Sequence, residues 1–140
     1  CTSPRACRPE PPWRLIVPEL IPGPALIPVP GGKIIEEYVG HASSGDDVVS
    51  VAHMLAPAGW HEPEQEPEFD EFTVVLEGSL DVEHVDGVTH VRSGQAVITR
   101  AGERVRYTSA DGARYIAVCV PAFHGELVHR DGDDDYGDPE

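Results

Sequence analysis

Between Lys33 and Val120, short runs rich in β-branched and aromatic residues alternate with turn residues, and no stretch sustains a helical period. A chain patterned this way buries its apolar residues by packing one sheet on another or by curling a sheet on itself. The spacing predicts strands at 34–35, 38–39, 48–55, 72–76, 80–85, 88–91, 96–99, 104–108 and 114–120. Ser43, Gly45 and Asp46 mark a turn, and Asp86-Gly87 and Asp111-Gly112 each read as a two-residue hairpin. The fold class predicted is all-β, a sandwich or barrel.

The flanks differ from this middle. Residues 1–32 are interrupted by Pro4, Pro9, Pro11, Pro12, Pro18, Pro22, Pro24, Pro28 and Pro30. Proline lacks the N–H that a ladder requires, so this is an extended arm with at most short edge strands. Leu15 to Val17 and Ala25 to Ile27 are its docking points, on its own barrel or on a neighbouring subunit. The chain starts with Cys rather than Met, so residues 1 to about 12 are set aside as vector-derived, processed or part of an upstream extension. A barrel over 33–123 follows, and then a segment at 124–140 that ends in an acidic tail expected to be disordered.

Charge narrows the partners. With 25 acidic and 10 basic side chains, the net charge of −15 repels nucleic-acid backbones and anionic membranes. No apolar run is long enough to span a bilayer. Cys1, Cys7 and Cys119 form no CxxC pair and no disulfide framework, which fits a reducing cytoplasm. Cys119 lies in an apolar run and reads as a small buried hydrophobe.

Two glycine-framed blocks stand within the β region. The first holds Gly59, Glu71 and Gly78, with Pro57 just before it; the second holds Gly94 and Gly102. This frame resembles the cupins over roughly residues 33–121, and implies a double-stranded β-helix (jelly-roll) barrel of the RmlC-like kind. The cadence from Asp70 to Gly78, followed by Val120 to Phe123, is similar to ethanolamine-utilisation-type cupins. The metal ligands that the resemblance implies do not carry over. Its histidine positions hold Gln65 and Pro67 in the shorter spacing and Glu64 and Glu66 in the longer; the second-motif histidine is Val105, and Arg100 replaces a proline. Only Glu71 matches.

Residues two apart on a strand share a face. Glu62, Glu64 and Glu66 would therefore point together if extended, and Glu64 and Glu66 with His61 make a candidate site for Mn, Mg, Fe or Zn. An exposed acidic loop at the barrel mouth describes the same residues, and no cofactor is the first expectation. Glu71 would point inward, where burial disfavours its charged form and suits it to acid–base work. A salt bridge to Arg100, Arg104 or Arg114 is the structural alternative. Tyr107 shares its parity with Val105, and His53 lies in a strand that could turn it toward the barrel. Glu71, Tyr107 and His53 form the candidate catalytic set. Trp60, Phe69, Gln65, Val105 and Tyr115 form the candidate substrate-binding set. His129 with Arg130 is a further candidate, in a tail able to fold over the mouth.

The function expected from these residues is a small-molecule enzyme running proton transfers of the isomerase, cyclase, dehydratase or lyase type, in bacterial secondary metabolism. Two alternatives stand beside it: a non-catalytic ligand-binding cupin, and an enzyme with a non-standard carboxylate-rich metal site. The expected partner is a small molecule, with no nucleic acid and no membrane, and the expected state is a cytoplasmic homodimer.

Overall fold

The computed structural model describes residues 17–131; the candidate docking residues Leu15 and Ile16, Cys1, Cys7 and the tail beyond 131 lie outside them. The described strands are β1 (Ala25–Ile27), β2 (Ile34–Val39), β3 (Ser50–Ala56), β4 (Trp60–His61), β5 (Asp70–His84), β6 (Gly87–Arg92), β7 (Ala96–Thr99), β8 (Arg106–Ser109) and β9 (Ala113–Val120). A single-turn helix, α1 (Gly125–Val128), follows, with the His124 side chain accepting from the Glu126 N–H at its start.

Strand β5 organises the barrel. Its first half lies between β7 and β9, so that Glu71 stands opposite both Thr99 and Cys119. Its second half lies between β6 and β8, with Val82 opposite Thr89 and Tyr107. One strand thus serves two sheets, β1-β2-β3-β9-β5-β7 and β4-β8-β5-β6. The sequence pattern predicts two strands here, at 72–76 and 80–85. The residues between them are instead a bulge inside one strand: the register shifts between Val75 and Glu77, and Gly78 follows at φ 76°. A bulge of this kind bends a strand sharply, and here it passes β5 from one sheet to the other.

Asp86-Gly87 closes the β5–β6 hairpin as the sequence predicts, with His84 paired to Gly87 across the turn. Asp111-Gly112 does not make a hairpin. Strand β8 pairs with β4 and β5, whereas β9 pairs with β3 and β5, so the turn carries the chain between sheets.

Alternation decides what faces the interior. Along β9, Ala113, Tyr115, Ala117 and Cys119 are buried while their neighbours are not. Along β8 and the bridge before it, Val105 and Tyr107 are buried. Trp60, Val75, Leu80, Val82 and Val91 complete the main core. Full burial of a side chain the size of Leu80 or Val82 contributes about 1.5–3 kcal/mol. The proline-rich arm contributes β1 as an edge strand on β2, with Leu26 71% exposed.

After β9 the chain folds back across one end of the barrel. The Glu68 N–H donates to the Leu127 carbonyl (2.8 Å), and the Asp131 N–H donates to the Glu64 carbonyl (2.9 Å). Gln65 forms isolated bridges to Val105 on one side and Arg130 on the other. Segment 64–68 is therefore held between the second sheet and the C-terminal segment.

Candidate functional site

The fold leaves a cavity at this end of the barrel. Its wall includes Lys33, Glu62, Gln65, Glu71, Tyr107, Tyr115 and Arg130, with Phe69, Cys119 and Phe123 beside them. The free volume is about 40 Å³, room for roughly three waters.

Lys33 reaches the cavity because positions 33, 35 and 37 share a face, and Ile35 and Glu37 are both buried. The residue is part-exposed along its length, but its ammonium end is buried. It lies 4.1 Å from the centroid of the Trp60 ring and 5.2 Å from that of Tyr115. Burial lowers its pKa, against the opposing pull of Glu62 and Glu71. Glu62 is 3% exposed. Its carboxylate lies 3.8 Å from the Arg130 guanidinium, and burial raises its pKa despite Lys33 and Arg130. Arg130 also donates from Nε to the Gln65 side-chain oxygen at 3.2 Å.

Glu71, the second residue of the central strand, turns inward and accepts a long hydrogen bond (3.4 Å) from the Thr73 hydroxyl. Desolvation and the nearby Glu62 charge push its pKa up to about 7, while Lys33 and Arg130 act the other way. The Tyr107 hydroxyl shares a 2.9 Å hydrogen bond with the Thr99 hydroxyl. Both tyrosines are held far above their ordinary pKa, by burial first and the nearby glutamates second, so both act as neutral O–H groups.

The structure brings together six of the sequence candidates: Glu71, Tyr107, Gln65, Phe69, Tyr115 and Arg130. Trp60 and Val105 lie in the core, Trp60 as the ring beneath Lys33. His53 is outside the site. On β3 the residues facing the cavity are Ser50, Ala52 and Met54, and His53 points the other way, with its Nδ1 2.8 Å from Glu36. Glu71 pairs with none of its three candidate arginines, because Arg100 binds Asp70, Arg104 binds Glu64 and Asp131, and Arg114 binds Glu77.

The candidate metal set also comes apart. Glu62 and Pro63 are both buried, so the alternation slips by one residue at the proline. Glu62 and Gln65 then face in, while Glu64 and Glu66 face out. Glu64 sits 2.6 Å from Arg104 on the outer surface, and His61 pairs with Thr108 on the edge strand β4. Among the described residues no group of three or more His, Cys, Asp or Glu is arranged to hold a metal. The donor set does not fit a cupin metal: inside the barrel, positive charge comes from Lys33 and Arg130.

Lys33 and Glu62 are the site residues that the sequence reading does not assign to the cavity; of the pair His129 and Arg130, Arg130 lines it and His129 pairs with Glu68 on the surface. Parity with Ile35 and Glu37 could have placed Lys33, and parity with Trp60 could have placed Glu62. Arg130 reaches the cavity from the segment after the last strand, through the bridge to Gln65.

This architecture, two antiparallel sheets sharing one long strand around an interior site, is the cupin fold. Solved structures agree on the fold. The chain is similar to ethanolamine utilization protein Q from Salmonella typhimurium (20% identity, TM-score 0.55, covering 65% of this chain and 71% of that one). It is similar to oxalate decarboxylase from Bacillus subtilis (16%, TM-score 0.65, 76% and 30%), a protein described with Mn(II) centres. It is also similar to an RmlC-like cupin from Shewanella frigidimarina (12%, TM-score 0.63, 74% and 89%). No protein-family profile matches the chain.

Among curated proteins, it is 46% identical over 106 residues to a protein of Myxococcus xanthus named endoribonuclease YbeY; the match covers 74% of this chain. The chain spans only about a third (36%) of that relative's length. This relative overturns the expectation of isomerase, cyclase, dehydratase or lyase chemistry, because a protein this alike carries a nuclease's name. The placement in secondary metabolism falls with it. The relative and the decarboxylase neighbour are both enzymes by name. No helix among the described residues is long and apolar enough to cross a membrane.

Proposed function

We propose that this domain holds a small organic molecule inside its barrel, as one module of a longer polypeptide. The observation that carries this reading is the gathering of Lys33, Glu62, Glu71 and Arg130 about one barrel cavity. Burying ionised groups costs several kcal/mol each. Apolar residues of similar volume often give a fold that is as stable or more so, so the cluster is better explained by a ligand than by stability. A fluorescence melting screen against small polar metabolites tests the reading. At least one compound is expected to raise the Tm of the parent, and not that of Lys33→Met. A library that leaves the parent's Tm unmoved would count against it.

A second reading, that this domain itself cleaves RNA, is favoured by the name of the Myxococcus relative. The acidic balance of 25 to 10 opposes it, because RNA binding is driven by neutralising phosphates with Lys and Arg. Labelled single- and double-stranded RNA is expected to survive incubation with the purified domain; cleavage abolished by Glu71→Gln would reverse the ranking.

The reading needs no resident metal. Protein purified without a metal-affinity tag is expected to hold far less than one divalent ion per chain. Stoichiometric manganese or zinc that disappears in Glu64→Ala or Glu66→Ala would restore the carboxylate metal site. A homodimer in the cytoplasm is proposed alongside, supported by the exposed apolar residues Leu20, Leu26 and Ile34 on the arm and β2.

A further inference from the structure

We propose that the barrel cavity selects a small carboxylate, bound through the Lys33 ammonium with the Arg130 guanidinium beside it; this rests on the small-molecule reading above. Most of the buried charges already have partners. Arg130 is held by Gln65 at 3.2 Å and Glu62 at 3.8 Å. Glu62 in turn has Arg130, and accepts nothing closer from a cation among the described residues. The Lys33 ammonium carries three donors, yet among the described residues no acceptor lies within hydrogen-bond or ion-pair distance of it; its close contacts are the faces of Trp60 and Tyr115, and Glu62 and Glu71 act on it from further off. It is the one buried charge of the cluster whose close contacts are all ring faces.

A second cation is near it. Arg130 is close enough for its charge to act on Lys33, and both line the same cavity. Two like charges around one space favour an anion between them. Such an anion would give Lys33 an acceptor and relieve the repulsion at once. The glutamates offset this only in part. Glu62 acts on both cations, and Glu71 keeps its proton up to about pH 7, so below that pH two cations face one glutamate charge. A protonated Glu71 and the neutral Tyr115 hydroxyl add O–H donors to the wall.

Size sets the class. A free volume of about 40 Å³ displaces roughly three waters, near 90 Å³ of liquid, which suits about five or six heavy atoms. Acetate, propionate and their hydroxy or oxo derivatives are within this limit. Aromatic acids are outside it unless Phe69 or Phe123 moves.

The test titrates the intact chain, at fixed ionic strength, with sodium acetate, sodium propionate, acetamide and methylammonium chloride, followed by isothermal titration calorimetry and protein-observed NMR. Acetate or propionate is expected to bind and to perturb residues around Lys33, with acetamide at least tenfold weaker. Lys33→Met is expected to lose tenfold or more, and Lys33→Arg to retain part of the affinity. If Lys33→Met does not fold, the acetate-to-acetamide ratio on the parent chain decides alone. Acetamide binding as well as acetate, or methylammonium binding better than either, overturns the carboxylate assignment and leaves the small-molecule reading standing. Silence from all four probes, with hits from larger compounds in the melting screen, overturns the size and charge class. Silence from everything overturns both readings.

Discussion

Glycine 78 to alanine is expected to cost this protein at least about 3 kcal/mol, in the range where single substitutions unfold a small domain. Two penalties coincide at the site. Gly78 has φ 76°, a backbone region where a side chain is strained by roughly 1–2 kcal/mol. The added methyl would also overlap the carbonyl oxygen of Gly112 and lie 2.9 Å from its carbon, and both belong to backbone that cannot step aside cheaply. That backbone is the turn joining β8 to β9. Pushing it away would disturb the register of β9 on β5, where Gly78 faces Ala113. A comparison separates strain from collision: Gly94 has φ 84° with nothing within 4 Å of an added methyl, so Gly94→Ala should cost only the conformational part, about 1–2 kcal/mol. Urea midpoints for the two variants provide the measurement. Equal losses would show that the approach of Gly78 to Gly112 does not matter.

Glu71 to glutamine is expected to stabilise the fold at pH 8 and to change it little at pH 5. The sign follows from where the proton is held. Folded, Glu71 keeps its proton up to about pH 7; its ordinary value is 4.5. Between those values the native state binds more protons than the unfolded chain, so stability falls as pH rises. The contribution is fully present below about 4.5 and is lost through 7, a change of ~3 kcal/mol. Glutamine has no proton to lose and escapes the decline. Removing the Glu71 charge also removes one of the influences that keep Lys33 protonated; this trims the gain at high pH without reversing it. Denaturant curves at pH 5, 6.5 and 8 should show the two proteins converging in acid and separating in base. Parallel curves would mean that the Glu71 carboxylate is better solvated than its place in the cavity wall implies.

Much of the barrel could be read from residue order because alternation is strict where a strand is covered on one face. Tyr115, Ala117 and Cys119 on β9 are the clearest case. The glycine frame was legible for a similar reason: Gly59, Gly78, Gly94 and Gly102 all hold positive φ. The site was harder to read. Pro63 shifts the phase of the acidic segment, so parity counted straight through it groups Glu62 with Glu64 and Glu66, when Glu62 alone turns inward. Asp111-Gly112 has hairpin chemistry, but the flanking strands find other partners, and turn propensity is blind to that choice. His53 looked eligible on β3 until the register set Ala52 and Met54 against the cavity.

The Gln65–Arg130 bridge separates two things that usually fail together. Every ladder of the barrel is complete by Val120, while Arg130 enters the cavity wall only from the segment beyond it. A chain cut between them would keep all its strand pairs and still lack one of the cavity's two cations. Intactness of this protein therefore cannot be judged from its β-sheet spectrum: a clipped molecule would look folded and be unable to assemble its site.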